Sequence, residues 1–326
     1  MWLNDSMVFD ILGGMLLIVL MVIASGVAVE IFEKIAHEVK VSKLLLATIL
    51  VGFSTSLPEL FVGITSAIKG QPLVSFGDIV GANLANLSWI IGGAAIVSGT
   101  IPVIGEYLKK DLWIAMSVTI FPFFLMIDGV LSRLDGVILI LIYLLYVSDL
   151  VHSGNSLIKH AKLAGRHIHH RLKTEINWGI QGLILVIALA VLGASAWALV
   201  NLAVRISLAL GVSVFWVGLL VVAVGTTLPE LILSIFASRK REIALILGNI
   251  LGSVVVNSTL ILGIVAIISP IEFVESPERM VAGISLLVVM GLFWLFTRSK
   301  HKLERWEGVV LVGIYVMFVG VQLLLA

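Results

Sequence analysis

The segment Thr55-Ser56-Leu57-Pro58-Glu59-Leu60 returns as Thr226-Thr227-Leu228-Pro229-Glu230-Leu231. Each copy lies inside a long apolar run, where a proline and an ionised carboxylate are both costly. Proline in a helix interior costs roughly 3 kcal/mol, and an acid at the centre of a bilayer costs roughly another 3 kcal/mol on insertion scales. Carrying both costs twice points to function. The correspondence continues at one offset, 230 − 59 = 171 residues. Gly77-Asp78-Ile79-Val80-Gly81 pairs with Gly248-Asn249-Ile250-Leu251-Gly252, Asn86 with Asn257 and Gly92 with Gly263. One unit is therefore half the chain, and such internal symmetry is typical of secondary transporters that bind substrate where two halves meet.

Composition agrees with a membrane setting. Hydrophobic residues make up 60% of the 326 and charged residues 13%, which implies a polytopic membrane protein embedded in the lipid bilayer. The net charge of +1 gives no sign of a nucleic-acid partner. With no cysteine, disulfides, thiolate metal sites and cysteine catalysis are excluded. The first residues carry no Lys or Arg, so the first apolar run reads as a retained helix and not as a signal peptide.

Apolar segments of spanning length fall near 8–32, 44–68, 73–98, 111–131, 134–151, 178–204, 212–238, 243–269, 280–297 and 307–325. The expected fold is all-α, with ten transmembrane helices, five per half. An odd number per half inverts the second repeat relative to the first. Charge tests this independently, because 17 of the 21 Lys and Arg fall on one side, and only Lys69, Arg133, Arg205 and Arg279 on the other. The positive-inside rule then makes the first side cytoplasmic and places both termini outside. Trp2, Trp113, Trp178 and Trp306 lie at segment ends, where indole favours the interface. The polar stretch 153–177 reads as a cytoplasmic linker, too short for a folded domain.

The doubled motif also has a definite chemistry. Pro58 frees the carbonyl of Ser54 and loosens that of Thr55, and Pro229 does the same for Gly225 and Thr226. Unwound carbonyls at membrane depth are tolerated only beside protein or a polar cavity. Glu59 and Glu230 add carboxylates, Thr55, Ser56, Thr226 and Thr227 hydroxyls, and Asn86 and Asn257 amide oxygens. An all-oxygen set selects hard cations, and Ca²⁺ takes about 6–8 oxygens in adaptable geometry. The lack of Cys, and of His in these helices, argues against Zn²⁺, Cu or Fe. Two carboxylates balance one Ca²⁺, and the same charges can be met by Na⁺ or by protons.

This pair of segments, each followed at equal spacing by Gly-x-x-x-Gly and then Asn, resembles the two alpha-repeats of the cation/Ca²⁺ exchanger superfamily, in its Na⁺/Ca²⁺ exchanger branch. The resemblance implies a first repeat over 1–152 with its alpha-repeat at about 51–92, the linker 153–177, and a second repeat over 178–326 with its alpha-repeat at about 222–263. It implies that Glu59 and Glu230 are the carboxylates shared by Ca²⁺ and Na⁺, and that the carbonyls of Thr55 and Thr226 complete the Ca²⁺ site. Gly52 and Ala223 match small residues whose carbonyls face flanking Na⁺ sites, Ser56 and Thr227 the neighbouring hydroxyls, and Asn86 and Asn257 the second-motif pair. Asn at both of those positions argues against K⁺ co-transport.

Two positions depart from the pattern. Ala82 stands where Ser is usual, as retained at Ser253, so one flanking Na⁺ site is expected to lack a hydroxyl. Asp78 stands where Asn is usual, opposite Asn249, and adds a carboxylate for a proton or for the access path. No cofactor is expected.

Other polar residues have simpler readings. Asp10, Asp128 and Asp149 fall near helix ends, where snorkelling or capping accounts for them. Glu272, Glu275 and Glu278 form an acidic outer loop. The histidines from His160 to His170 sit in a basic loop and read as solvated. The leading expectation is an antiporter exporting Ca²⁺ across the cell membrane on an inward Na⁺ gradient, with H⁺ coupling as the alternative. A passive cation channel is a second class. No enzymatic motif is present.

Overall fold

The computed structural model describes residues 5–38, 51–103, 106–163, 178–240 and 242–326. The part of the expected segment 44–68 that precedes residue 51, Trp2, and the linker beyond residue 163 with His167, His169 and His170 lie outside the described residues.

The first half begins with a long helix, α1 (Asp5–Glu38). A single turn follows, α2 (Gly52–Thr55), then α3 (Leu57–Ile68) and α4 (Pro72–Ala85). A π turn over Asn86–Ile90 leads into α5 (Ile91–Ser98), strand β1 (Thr100–Pro102), α6 (Glu106–Leu125), β2 (Val130–Leu131) and α7 (Arg133–Leu163). The second half repeats the order with α8 (Trp178–Leu210), α9 (Val214–Val217), a π turn over Gly218–Val222, α10 (Ala223–Thr226) and α11 (Leu228–Lys240). It continues with α12 (Ile243–Val256), a π turn over Asn257–Ile261, α13 (Leu262–Ile268), β3 (Ile271–Glu272), α14 (Pro277–Lys300), β4 (Lys302–Glu304) and α15 (Arg305–Leu325). The offset of 171 carries Gly52–Thr55 onto Ala223–Thr226 and one Asn-led π turn onto the other.

Seven of the described helices are long and apolar enough to cross a membrane, and an eighth span results if α9 through α11, bent by 40°, is taken as one. Leu57–Ile68 and Leu112–Asp128 are shorter apolar helices. The protein is thus an all-helical, polytopic membrane protein. Its outer helices turn large apolar side chains outward, among them Leu16, Val19, Leu183 and Val186, which suits a hydrocarbon surround.

The breaks fall where the prolines dictate. Ser56 sits at φ −81°, ψ 8° and Thr227 at φ −82°, ψ 0°, so both helices are interrupted two residues before the proline. The Ser54 carbonyl accepts a hydrogen bond from Ser25 Oγ of α1 at 3.2 Å, so it is held by a neighbouring helix.

Two short antiparallel pairings join the halves. Thr100, Ile101 and Pro102 face Glu304, Leu303 and Lys302, while Val130 and Leu131 face Glu272 and Ile271. Strands of two or three residues give no periodic signal, and the sequence did not announce them. Inside, α1 packs on α8, and the small residues Ala24, Ala28, Ala196 and Ala203 of these helices are buried in one shared cluster, as close helix approach in membranes requires. Lys69 ties the end of α3 to α8. Its ammonium donates to the Trp197 carbonyl at 2.9 Å and to the Asn201 side chain, and it lies 3.9 Å from the centre of the Trp197 ring.

Backbone contact holds the middle of the molecule. A Cβ on Gly77 would lie 2.2 Å from the Phe215 carbonyl oxygen, one on Gly81 2.3 Å from that of Leu219, and one on Gly218 2.3 Å from that of Val74. Only glycine permits α4 to meet α9 and its π turn at that distance.

Candidate cation-binding site

The two broken helices and α4 and α12 bring the candidate residues to the centre of the bundle. Thr55 and Thr226 are 1% exposed, and Ser56, Glu59, Asp78, Asn86, Thr227, Glu230, Asn249, Ser253 and Asn257 are fully buried. Gly52 and Ala223 are buried as well.

Hydrogen bonds link each broken helix to the other half. Thr55 Oγ1 donates to Asn249 Oδ1 at 2.9 Å and lies 3.1 Å from Ser253 Oγ. Ser253 Oγ in turn reaches the Gly52 carbonyl at 3.2 Å and Glu230 Oε1 at 3.3 Å. Across the molecule Thr226 Oγ1 donates to Asp78 Oδ1 at 2.8 Å and also approaches the Ala223 carbonyl at 3.3 Å. Positions 55 and 226 correspond, as do 249 and 78, so these are one contact made twice.

Not every candidate joins this network. Thr227 Oγ1 donates within its own half, to the Ala223 carbonyl at 2.7 Å, and Ser56 Oγ has no partner. Asn257 Nδ2 donates to Asn83 Oδ1 at 3.2 Å, and Asn83 Nδ2 donates to Ser258 Oγ at 2.8 Å. Both amide atoms of Asn86 lack a partner.

The acceptors left over are the chemically important atoms. Both oxygens of Glu59, Glu230 Oε2, Asp78 Oδ2 and Asn257 Oδ1 are buried without a hydrogen-bond partner. Buried polar groups are almost always satisfied, and an unpaired one costs about 1–3 kcal/mol, more when charged. Glu59 also feels the charges of Glu230 and Asp78. Unpartnered acceptor oxygens of this kind are what a bound cation would satisfy. Among the described residues no three His, Cys, Asp or Glu side chains converge as a metal cluster; the other oxygens at hand are hydroxyls, amides and carbonyls.

Sequence reasoning missed Asn83, Ser258 and Ser25. Comparison between the halves was blind to them, since their counterparts are Val254, Leu87 and Ala196. Asn83 lies one helical turn before Asn86, and that spacing was the available signal. The peripheral acids also have partners of their own. Asp10 pairs with Arg205 at 3.1 Å, Asp149 with Lys110 at 2.6 Å, and Asp128 accepts from the Val130 N–H at 3.1 Å. The first two are ion pairs in place of the snorkelling or capping expected.

Fold and site define a class: a helical membrane protein with a buried polar cluster assembled from two matched segments. The chain belongs to the sodium/calcium exchanger protein family, which it matches over residues 9–149 and 180–324. It is 28% identical over 341 residues to the sodium/calcium exchanger MaX1 of Methanosarcina acetivorans, covering 93% of this chain and 95% of that one. An uncharacterized membrane protein of Methanocaldococcus jannaschii is 27% identical over 290 residues, covering 88% and 89%. Among solved structures, the sodium-calcium exchanger NCX_Mj soaked with 2.5 mM Na⁺ and 0.1 mM Ca²⁺ superposes with a TM-score of 0.68 at 25% identity, covering 96% of this chain and 98% of that one.

Proposed function

We propose that the protein is a secondary antiporter that exchanges Ca²⁺ for Na⁺ by alternating access. One observation carries this reading: two matched glutamates, fully buried in the bundle, whose carboxylates keep three oxygens without partners. In this reading Glu59 and Glu230 hold Ca²⁺ with the carbonyls of Thr55 and Thr226. The carbonyls of Gly52 and Ala223, the hydroxyls of Ser56, Thr227 and Ser253, and the amides of Asn86 and Asn257 serve the flanking positions. Ca²⁺ and Na⁺ compete for the same carboxylates, and this competition couples their movements.

A second reading, H⁺ in place of Na⁺, is favoured by Asp78, a third fully buried carboxylate, which accepts a hydrogen bond from Thr226. Proteoliposomes distinguish the two. With an imposed Na⁺ gradient, Ca²⁺ is expected to accumulate against its own gradient. Accumulation driven by a pH gradient alone would select the H⁺ reading, and dissipation without accumulation would indicate a channel.

The proposal includes ten crossings, as inverted halves 1–152 and 178–326 joined by a cytoplasmic 153–177 linker, in the cell membrane with both ends outside. It is supported by the 17 of 21 basic residues assigned to one side and by the recurrence of elements at 171 residues. Impermeant labelling of single cysteines is expected to reach positions 4 and 326 from outside and position 167 only from inside. Labelling of positions 4 and 167 from one side would rule out inversion.

A further inference from the structure

We infer that Asp78 is a direct ligand of the monovalent cation exchanged for Ca²⁺, supplying the oxygen that Ala82 lacks; this rests on the exchange reading above. The contact made twice differs between the halves in one residue. Thr55 donates to Asn249 Oδ1 at 2.9 Å, and Thr226 donates to Asp78 Oδ1 at 2.8 Å. Asparagine makes this bond as well as aspartate does. The bond therefore gives no reason for a carboxylate at position 78, and the carboxylate's second oxygen must be explained otherwise.

Those second atoms are chemically opposite. Asn249 Nδ2 and Asp78 Oδ2 are both buried and both without a partner, yet the amide nitrogen is a donor that turns a cation away, and the carboxylate oxygen is an acceptor that attracts one. The hydroxyls are reversed in compensation. Ser253 Oγ reaches the Gly52 carbonyl and Glu230 Oε1, whereas its counterpart Ala82 is fully buried and has nothing to offer the Ala223 carbonyl or Glu59. Glu59 accordingly keeps both oxygens unpartnered. Thr226 Oγ1 spans the gap, lying 2.8 Å from Asp78 Oδ1 and 3.3 Å from the Ala223 carbonyl oxygen. The first-half carboxylate thus stands one hydroxyl away from the carbonyl that Ala82 fails to serve.

Charge selects the ion. Glu59 and Glu230 balance one divalent cation, and the field of Asp78 reaches both of them. A third carboxylate gives the pocket a charge of −3 when all are ionised, which one Ca²⁺ leaves unbalanced and singly charged ions can neutralise in full.

The test uses full-length protein in proteoliposomes, with Na⁺-dependent Ca²⁺ counterflow and, in detergent, thermal shifts on adding Na⁺ or Ca²⁺. For Asp78→Asn the half-saturating Na⁺ concentration is expected to rise at least tenfold, with the Ca²⁺ response within about threefold of wild type, which also shows that the variant is folded. Adding Ala82→Ser to Asp78→Asn restores a hydroxyl and is expected to recover most of the Na⁺ response. In the wild-type background Ala82→Ser is expected to change it less than threefold. A Na⁺ response of Asp78→Asn within twofold of wild type overturns the inference, as does equal loss of the Na⁺ and Ca²⁺ responses or failure of Ala82→Ser to rescue. A wild-type protein with no Ca²⁺ counterflow defeats the exchange reading itself, a separate result.

Discussion

Replacing Glu59 or Glu230 by Gln is expected to reduce Ca²⁺ counterflow to background, a loss of at least about 100-fold, or about 2.7 kcal/mol. In the exchange reading each substitution keeps shape and removes one of the two buried charges that face the divalent ion, and taking one charged partner from a buried pair costs about 3–5 kcal/mol. Folding is not expected to suffer. Gln keeps an acceptor oxygen for the hydroxyls beside these carboxylates, Thr226 at Glu59 and Thr55 and Ser253 at Glu230. With no ion bound, the Glu59→Gln protein is expected to unfold at the same or a higher temperature, since the carboxyl replaced is buried with both oxygens unpartnered. Flux assays paired with thermal unfolding separate these effects. Near-normal counterflow in the double Gln variant would exclude both residues as central ligands.

The second large effect is structural. Gly77→Ala places a carbon 2.2 Å from the Phe215 carbonyl oxygen, and two helix backbones must separate to admit it. Overpacking costs about 1–3 kcal/mol in ordinary cores, and here the obstacle is rigid backbone, so the upper end applies. A clear fall in unfolding temperature and in the yield of monodisperse protein is expected. Gly182→Ala, with nothing within 4 Å of the added carbon, is expected to leave both unchanged or slightly improved, because alanine favours the helix. Equal behaviour of the two variants would show that α4 and α9 are not held by this contact.

Much of the centre was legible in the sequence because it is written twice. Pro58 and Pro229 announced the helix breaks, and those breaks occur at Ser56 and Thr227. Duplication also limited what could be read. Asn83 and Ser258 were invisible because Val254 and Leu87 stand at the matching places, and Ser25 because Ala196 does. Pro58 was expected to release the Ser54 carbonyl, but periodicity could not reveal that a serine on α1 would take it up. The strand pairs and the ion pairs of Asp10 and Asp149 depend on contacts between residues 39 to more than 200 apart, which local pattern does not encode.

The doubled threonine contact has a mechanical consequence. The stretch α2–α3 runs on into α4, α4 is bonded through Asp78 to Thr226 of α10, α10–α11 runs on into α12, and α12 is bonded through Asn249 and Ser253 back to α2. Two covalent joints alternate with two hydrogen-bonded ones around a closed loop. A loop of this kind has no free end, so no single member can tilt without straining a joint on the far side of the site. Displacement at one glutamate is therefore expected to be felt at the other through the frame itself.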